Sequence, residues 1–211
     1  HKPLKDPQEL RDSLNMHTRT ATPDDGAILA EIYAPYVRDT IISFETECPT
    51  AEEMTRRIAV TLEMFPWLVC EDDGDILGYA YAGRHRQRTA YQWSCDVTIY
   101  LAPRAQRRGI GRRLYQALFD VLVQQGFAAA YAGITLPNKA SVGIHEAMGF
   151  RPVGVYRGVG FKNGQWCDVG WWHRRLQEPA TPPVDPIPFP ALENSRSQSS
   201  PDADNGSLKA P

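Results

Sequence analysis

The sequence predicts an α+β domain, a mixed sheet flanked by helices in three layers (α/β/α), and three observations carry that prediction. Apolar residues alternate with a period of two in some stretches and recur at helical spacing in others, in the order β-α-α-β-β-β-α-β-α-β-β. Residues 96–125 join a β-type run to a helical one through a basic, glycine-containing turn. Near the end, Asn163-Gly164 separates two long β-type runs, the strongest short hairpin signal.

Taken in order, residues 1–17 are polar without clear periodicity and read as a flexible N-terminal arm. Residues 18–22 alternate as a first strand. Thr22-Pro23-Asp24-Asp25 then supplies an N-cap, a proline at the first helical position and first-turn acids. Ile28, Leu29, Ile32, Tyr33 and Tyr36 follow at helical spacing, with Pro35 expected to end or bend the helix. Thr50-Ala51-Glu52-Glu53 reads as a capping box for a second helix, which Pro66 stops. Residues 67–71 and 76–82 are strands joined at Asp73-Gly74-Asp75, residues 83–89 a basic loop, and 90–101 a longer strand. Residues 129–135 form a strand of small residues, and 139–148 a helix that Gly149 closes. Residues 153–161 and 165–176 are the final strands. Residues 179–211 hold eight of the chain's 17 prolines and few large apolar side chains, a composition that predicts a disordered tail after a domain over 18–178.

The central turn is an anion site by construction. Helix first-turn amides lack intrahelical partners, and the helix dipole adds partial positive charge there. Gly109 and Gly111 allow close approach to the backbone, and Arg104, Arg107, Arg108, Arg112 and Arg113 surround them. The spacing Gln106-x-x-Gly109-x-Gly111 is neither of the two familiar nucleotide loops. A solvated basic turn fits the same residues.

Composition narrows the partners. An apolar fraction of 42% and a charged fraction of 23% suit a globular protein, and no apolar run is long enough to span a membrane. The net charge of -2 argues against nucleic acid and, beside the local arginines, for a small anionic ligand. Cys48, Cys70, Cys95 and Cys167 are widely spaced, which suggests free thiols in the cytoplasm and no metal site.

The glycine spacing resembles the pyrophosphate loop of the GNAT acyltransferases. Further segments are similar to one branch of them, the phosphinothricin N-acetyltransferases and the methionine sulfone/sulfoximine acetyltransferases. They include Ile42-Ser43-Phe44-Glu45, Pro66-Trp67-Leu68-Val69, Ala90-Tyr91-Gln92-Trp93, Leu136-Pro137-Asn138, His145-Glu146-Ala147-Met148-Gly149-Phe150 and Gly160-Phe161-Lys162-Asn163-Gly164-Gln165-Trp166. The resemblance spans about 18–176 and implies a GNAT-type acyl-CoA N-acyltransferase fold, acetyl-CoA as co-substrate, a small amino-acid analogue as acceptor, and a homodimer.

It also implies roles for individual residues. Ile99, Tyr100 and Leu101 would pair their backbone with pantetheine. Arg107, Arg108, Gly109, Ile110, Gly111 and Arg112 would hold the pyrophosphate, and Asn138 the cofactor arm. Asp96 stands at the branch's catalytic glutamate position, one methylene shorter, and His145 where the branch has a histidine near the sulfur. Phe44, Arg86, Arg88 and Tyr91 are candidates for the acceptor site. The chemistry suits these types: a carboxylate deprotonates the ammonium, backbone N–H groups near Ile99 bind the oxyanion, and an imidazole protonates the leaving thiolate. Without the resemblance, Asp96 reads equally as a solvated strand residue, His145 as a packed helix histidine and Asn138 as an N-cap. Two other functions fit the same loop, a different amine acceptor and a non-catalytic CoA-binding module.

Overall fold

The computed structural model describes residues 16–199, and the predicted order of strands and helices is largely the observed one. Seven strands form one sheet in the order β1-β2-β3-β4-β5-β7-β6: β1 (His17–Thr20), β2 (Trp67–Asp72), β3 (Asp75–Arg84), β4 (Ser94–Leu101), β5 (Ala129–Leu136), β6 (Arg151–Lys162) and β7 (Gln165–Arg175). Every pairing is antiparallel except β4 with β5. The helices are α1 (Gly26–Arg38), α2 (Ala51–Leu62), α3 (Ile110–Gln125), α4 (Lys139–Ala147) and α5 (Phe189–Ser199).

The parallel pair exists because α3 carries the chain back over the sheet. Its buried stripe of Ile110, Leu114, Tyr115, Leu118, Phe119 and Leu122 joins Val69, Ala80, Val97 and Ala130 in one core. On α1, Tyr33 and Tyr36 pack their rings against Tyr100 of β4, with centroids 4.7 and 4.9 Å away. Lys162 ties the last hairpin to the first helix. It is buried, and its Nζ donates to the carbonyls of Val37 (2.6 Å) and Ser43 (2.7 Å), placing a cation at the negative end of α1.

Four boundaries differ from expectation. Pro35 lies inside α1, which runs on to Arg38. Strand β4 begins at Ser94 because Thr89–Tyr91 forms a 3₁₀ turn. Strand β1 already starts at His17, with Met16 buried, and the rest of the expected N-terminal arm lies outside the described residues. The fourth difference is the tail. Instead of leaving the domain, the chain after Glu178 lies along it and forms α5. Phe189 and Leu192 bury against Val121, and Gln125 Nε2 donates to the carbonyls of Met64 and Ile187, each at 2.8 Å. The Trp93 indole N–H donates to Val184 O at 2.7 Å. Composition averages over the segment, whereas two apolar anchors and a few backbone bonds are enough to order it. Residues 200–211 of the predicted tail lie outside the described residues.

A chain ending at Glu178 is therefore expected to be less stable. Two buried apolar side chains contribute roughly 1.5–3 kcal/mol each before ordering entropy is subtracted. The melting temperature should fall by roughly 5–10 °C. Calorimetry of the shortened chain checks this, and an unchanged Tm would show that the tail contacts add nothing.

Candidate active site

The site starts where β4 and β5 part. Their register runs only through Ser94–Ala129, Cys95–Ala130 and Asp96–Tyr131, although β4 continues to Leu101 and β5 to Leu136. Which backbone groups face the gap follows from the other edge of β4. Ala102 N–H donates to Leu77 O, so Ala102, Tyr100 and Thr98 turn their amides and carbonyls toward β3. Ile99 and Leu101 turn theirs toward the gap, where no strand lies opposite. Of the three residues expected to pair there, Ile99 and Leu101 are available and Tyr100 is not. The Leu101 carbonyl already accepts from the Tyr36 hydroxyl at 2.6 Å. The Tyr100 side chain instead lines a cavity of about 290 Å³ with Tyr33, Glu45, Arg57 and Tyr81.

Both helices that follow these strands begin at the open end of the gap. Helix α3 has Gly109 as its N-cap, at φ 78°, with no side-chain cap. Its first backbone bond is Arg113 N–H to Gly109 O, which leaves the amides of Ile110, Gly111 and Arg112 without a helical partner. A Cβ built on Gly109 would meet nothing within 4 Å, so the loop faces open space. Gly111 serves differently, since a Cβ there would run into Ile144 of α4 and approach Ile99 and Leu101. Arg108 is paired to Asp72 at 2.7 Å, while Arg107 and Arg112 are exposed and form no ion pair among the described residues. Asn138 caps α4, its Oδ1 accepting from Ser141 N–H at 3.1 Å, which leaves the side-chain amide hydrogens for a ligand.

Asp96 sits at the apex of the gap, at the last β4–β5 pair. Burial raises its pKa, partly opposed by the His85 hydrogen bond. That bond is short: His85 Nδ1 lies 2.6 Å from Asp96 Oδ1. The imidazole stacks on Tyr131 with centroids 4.3 Å apart and a 14° interplanar angle, and it meets Tyr91 edge-on at 6.0 Å. Arg86 holds the His85 carbonyl and lies over the Trp171 ring. Arg86 and Tyr91 are thus brought to Asp96. Arg88 is exposed and makes no contact among the described residues that draws it there. Phe44 packs its ring on Gly160 of β6, and Thr135 Oγ1 donates to Ile42 O, so the loop carrying Phe44 lies over β5.

His145 departs from its expected role. It is 3% exposed. Its Nδ1 lies 2.7 Å from the Ser141 carbonyl, which can only accept, so the ring proton sits there. Nε2 then accepts from the Tyr115 hydroxyl at 2.8 Å. Burial lowers the His145 pKa and keeps the ring neutral. With both nitrogens engaged inside the protein, His145 joins α3 to α4 and has no proton free for a leaving sulfur. Conversely, His85 was not singled out in the sequence. The available signal was the antiparallel register of β3 and β4, which sets Gly83 opposite Asp96 and brings the next residues round beside it.

Residues 18–171 match the family described as acetyltransferase (GNAT) domain. This chain belongs to that family. It is 40% identical over 170 residues to phosphinothricin N-acetyltransferase of Streptomyces viridochromogenes, covering 80% of this chain and 93% of the relative. It is 31% identical to the L-methionine sulfoximine/L-methionine sulfone acetyltransferase of Salmonella typhimurium, covering 79% of this chain and 98% of the relative. Among solved structures, the Sinorhizobium meliloti phosphinothricin acetyltransferase in complex with AcCoA aligns at a TM-score of 0.76 and 32% identity, covering 82% of this chain and 94% of that one.

Gly109→Val would place a branched side chain at a positive φ and in the open face of the loop. CoA affinity should fall roughly tenfold or more while the fold is retained, as read by calorimetric titration with circular dichroism as control. Unchanged affinity in the folded variant would remove this loop from the binding site.

Proposed function

We propose that this protein is an acetyl-CoA-dependent N-acetyltransferase that acetylates the amino group of a small amino-acid analogue by direct transfer in a ternary complex. The observation that carries the reading is the split between β4 and β5, with an uncapped helix N-terminus at its mouth and a half-buried carboxyl, hydrogen-bonded to His85, at its apex. The pyrophosphate lies against Gly109, Ile110, Gly111 and Arg112, with Arg107 and Arg108 beside it, and the pantetheine arm enters the gap beside Ile99, Leu101 and Asn138. The Ile99 amide donates to the acetyl carbonyl oxygen as negative charge develops there. Base catalysis depends on Asp96, whose carboxyl stands at the apex of the gap.

The acceptor is of the phosphinothricin, methionine sulfone or methionine sulfoximine type. Support comes from the named activities of the relatives and from Arg86, whose planar fork suits a carboxylate or a tetrahedral oxyanion head. Glu45 does not repel such a head as a free anion, because Arg57 binds both its oxygens, at 2.7 and 3.1 Å. Phe44 and Tyr91 form apolar walls, and Arg88 extends the basic rim. Four free cysteines, one of them exposed, suit the reducing cytoplasm. A second copy of the chain is the natural partner of β6, an edge strand on which Val153, Val159 and Phe161 are exposed beside Trp166.

Thiol release from acetyl-CoA across a panel of amino-acid analogues, polyamines and aminoglycosides tests the reading. Release with amino-acid analogues supports it, release only with another amine changes the acceptor, and binding without release makes the protein a CoA-binding module. Asp96→Asn keeps the shape and removes the carboxylate, and kcat on the best acceptor should fall about 10²–10⁴-fold with CoA affinity kept. Near-native turnover would show that Asp96 is no part of the base. Trp166→Glu should shift a dimer to monomer in sedimentation, while an unaltered dimer would place the interface elsewhere.

A further inference from the structure

The His85 imidazole occupies a position that packing alone does not explain. Its carboxylate-facing nitrogen is 2.6 Å from Asp96 Oδ1, and its side chain is only 11% exposed. The ring is clamped flat on Tyr131 and boxed edge-on by Tyr91 and Trp171, so its orientation is fixed on three sides. Nε2 has no hydrogen-bond partner among the described residues, yet it is not sealed from solvent. A carboxylate held to one nitrogen of an oriented imidazole, with the other nitrogen open, is an arrangement for moving a proton.

We infer that His85 is the proton acceptor of this enzyme and that Asp96 acts through it. The inference rests on the N-acetyltransferase reading given above. Asp96 accepts the Nδ1 proton and so fixes the neutral tautomer with Nε2 as a lone-pair base. The substrate ammonium donates one proton to Nε2, giving an imidazolium paired with the Asp96 carboxylate. The freed amine nitrogen forms its bond to the acetyl carbon, and the carbon–sulfur bond breaks with its electron pair leaving on sulfur. The second nitrogen proton passes to the thiolate, and the imidazolium returns its proton to water. The sum is ammonium plus thioester giving amide, thiol and one released proton. Asp96 is then a positioning residue: burial raises its pKa, and the His85 hydrogen bond opposes that shift and favours the carboxylate.

Two variants and the pH dependence separate this from a structural role. His85→Asn keeps a donor toward Asp96 without a basic nitrogen, and His85→Phe keeps the stack on Tyr131 without either nitrogen. Each should lower kcat about 10²–10⁴-fold with CoA affinity within twofold of native, as Asp96→Asn does. Because the residues act as a unit, His85→Asn with Asp96→Asn should fall no more than threefold below the weaker single variant. The native kcat/KM should decline toward acid pH as the base is protonated, and this limb should vanish in His85→Asn. Around the ring the other titratable or charged groups are Asp96, Tyr131, Tyr91 and Arg86, with His173 behind Tyr131 at 5.0 Å. His85→Asn leaves all of them in place, so an acid limb that survives at its native position overturns the inference. Turnover within threefold of native in either folded variant also overturns it. If the native protein turns over no amine, the acetyltransferase reading falls and this inference with it. An active native protein with active His85 variants removes the inference alone.

Discussion

The short pairing of β4 with β5 is the constraint on which the rest of the site depends. Three couples of residues join the strands, and beyond Asp96 no strand among the described residues pairs with that side of β4, where only the Leu101 carbonyl is taken, by the Tyr36 hydroxyl. Unpaired amides and carbonyls inside a sheet are costly unless water or a ligand satisfies them. A cleft of this kind therefore combines stored hydrogen-bonding capacity with a fixed geometry. One edge of β4 stays bonded to β3 through Leu101, so the strand cannot collapse onto β5 without losing that ladder.

The helices enforce the gap from outside. Gly111 brings α3, α4 and β4 into contact through Ile144, Ile99 and Leu101. The His145–Tyr115 bond fastens α4 to α3 from within. Each helix therefore begins at the gap with its N-terminus held in place, and the positive ends of two dipoles converge on one region. On the opposite sheet face, Tyr36 takes the Leu101 carbonyl and packs beside Tyr33 on Tyr100, which seats α1 against the free half of β4. The open edge of β4 thus lies between two helix starts on one face and a rigid support on the other.

Most of this frame was legible in the sequence, because it is written in local signals. Periodicity located the strands and helices. The glycine spacing at 109 and 111 marked the uncapped start of α3, and Asn163-Gly164 the last hairpin. What stayed hidden depends on long-range placement. Nothing local says that Tyr100 turns its backbone to β3 while Ile99 faces the gap, since that is a matter of register parity. The surroundings of His145 and His85 were hidden for a similar reason. A histidine on a helix and a histidine in a basic loop look alike until the neighbours of each nitrogen are known. The tail was misjudged because Phe189 and Leu192 find Val121 far away in the chain, and composition cannot see that contact.

The two histidines show how one side-chain type takes opposite parts in one protein. Both have a hydrogen bond at Nδ1. His145 gives that proton to a backbone carbonyl, which carries no net charge, and spends Nε2 on a tyrosine hydroxyl. Protonating it would bury a cation beside a carbonyl and a hydroxyl that carry no net charge, so burial holds it neutral. His85 gives its Nδ1 proton to a carboxylate and leaves Nε2 open. The difference lies wholly in the partners, a carbonyl and a hydroxyl in one case and a carboxylate and solvent in the other. The hydrogen-bond partners therefore make a structural link between helices at position 145 and leave one ring nitrogen open at position 85.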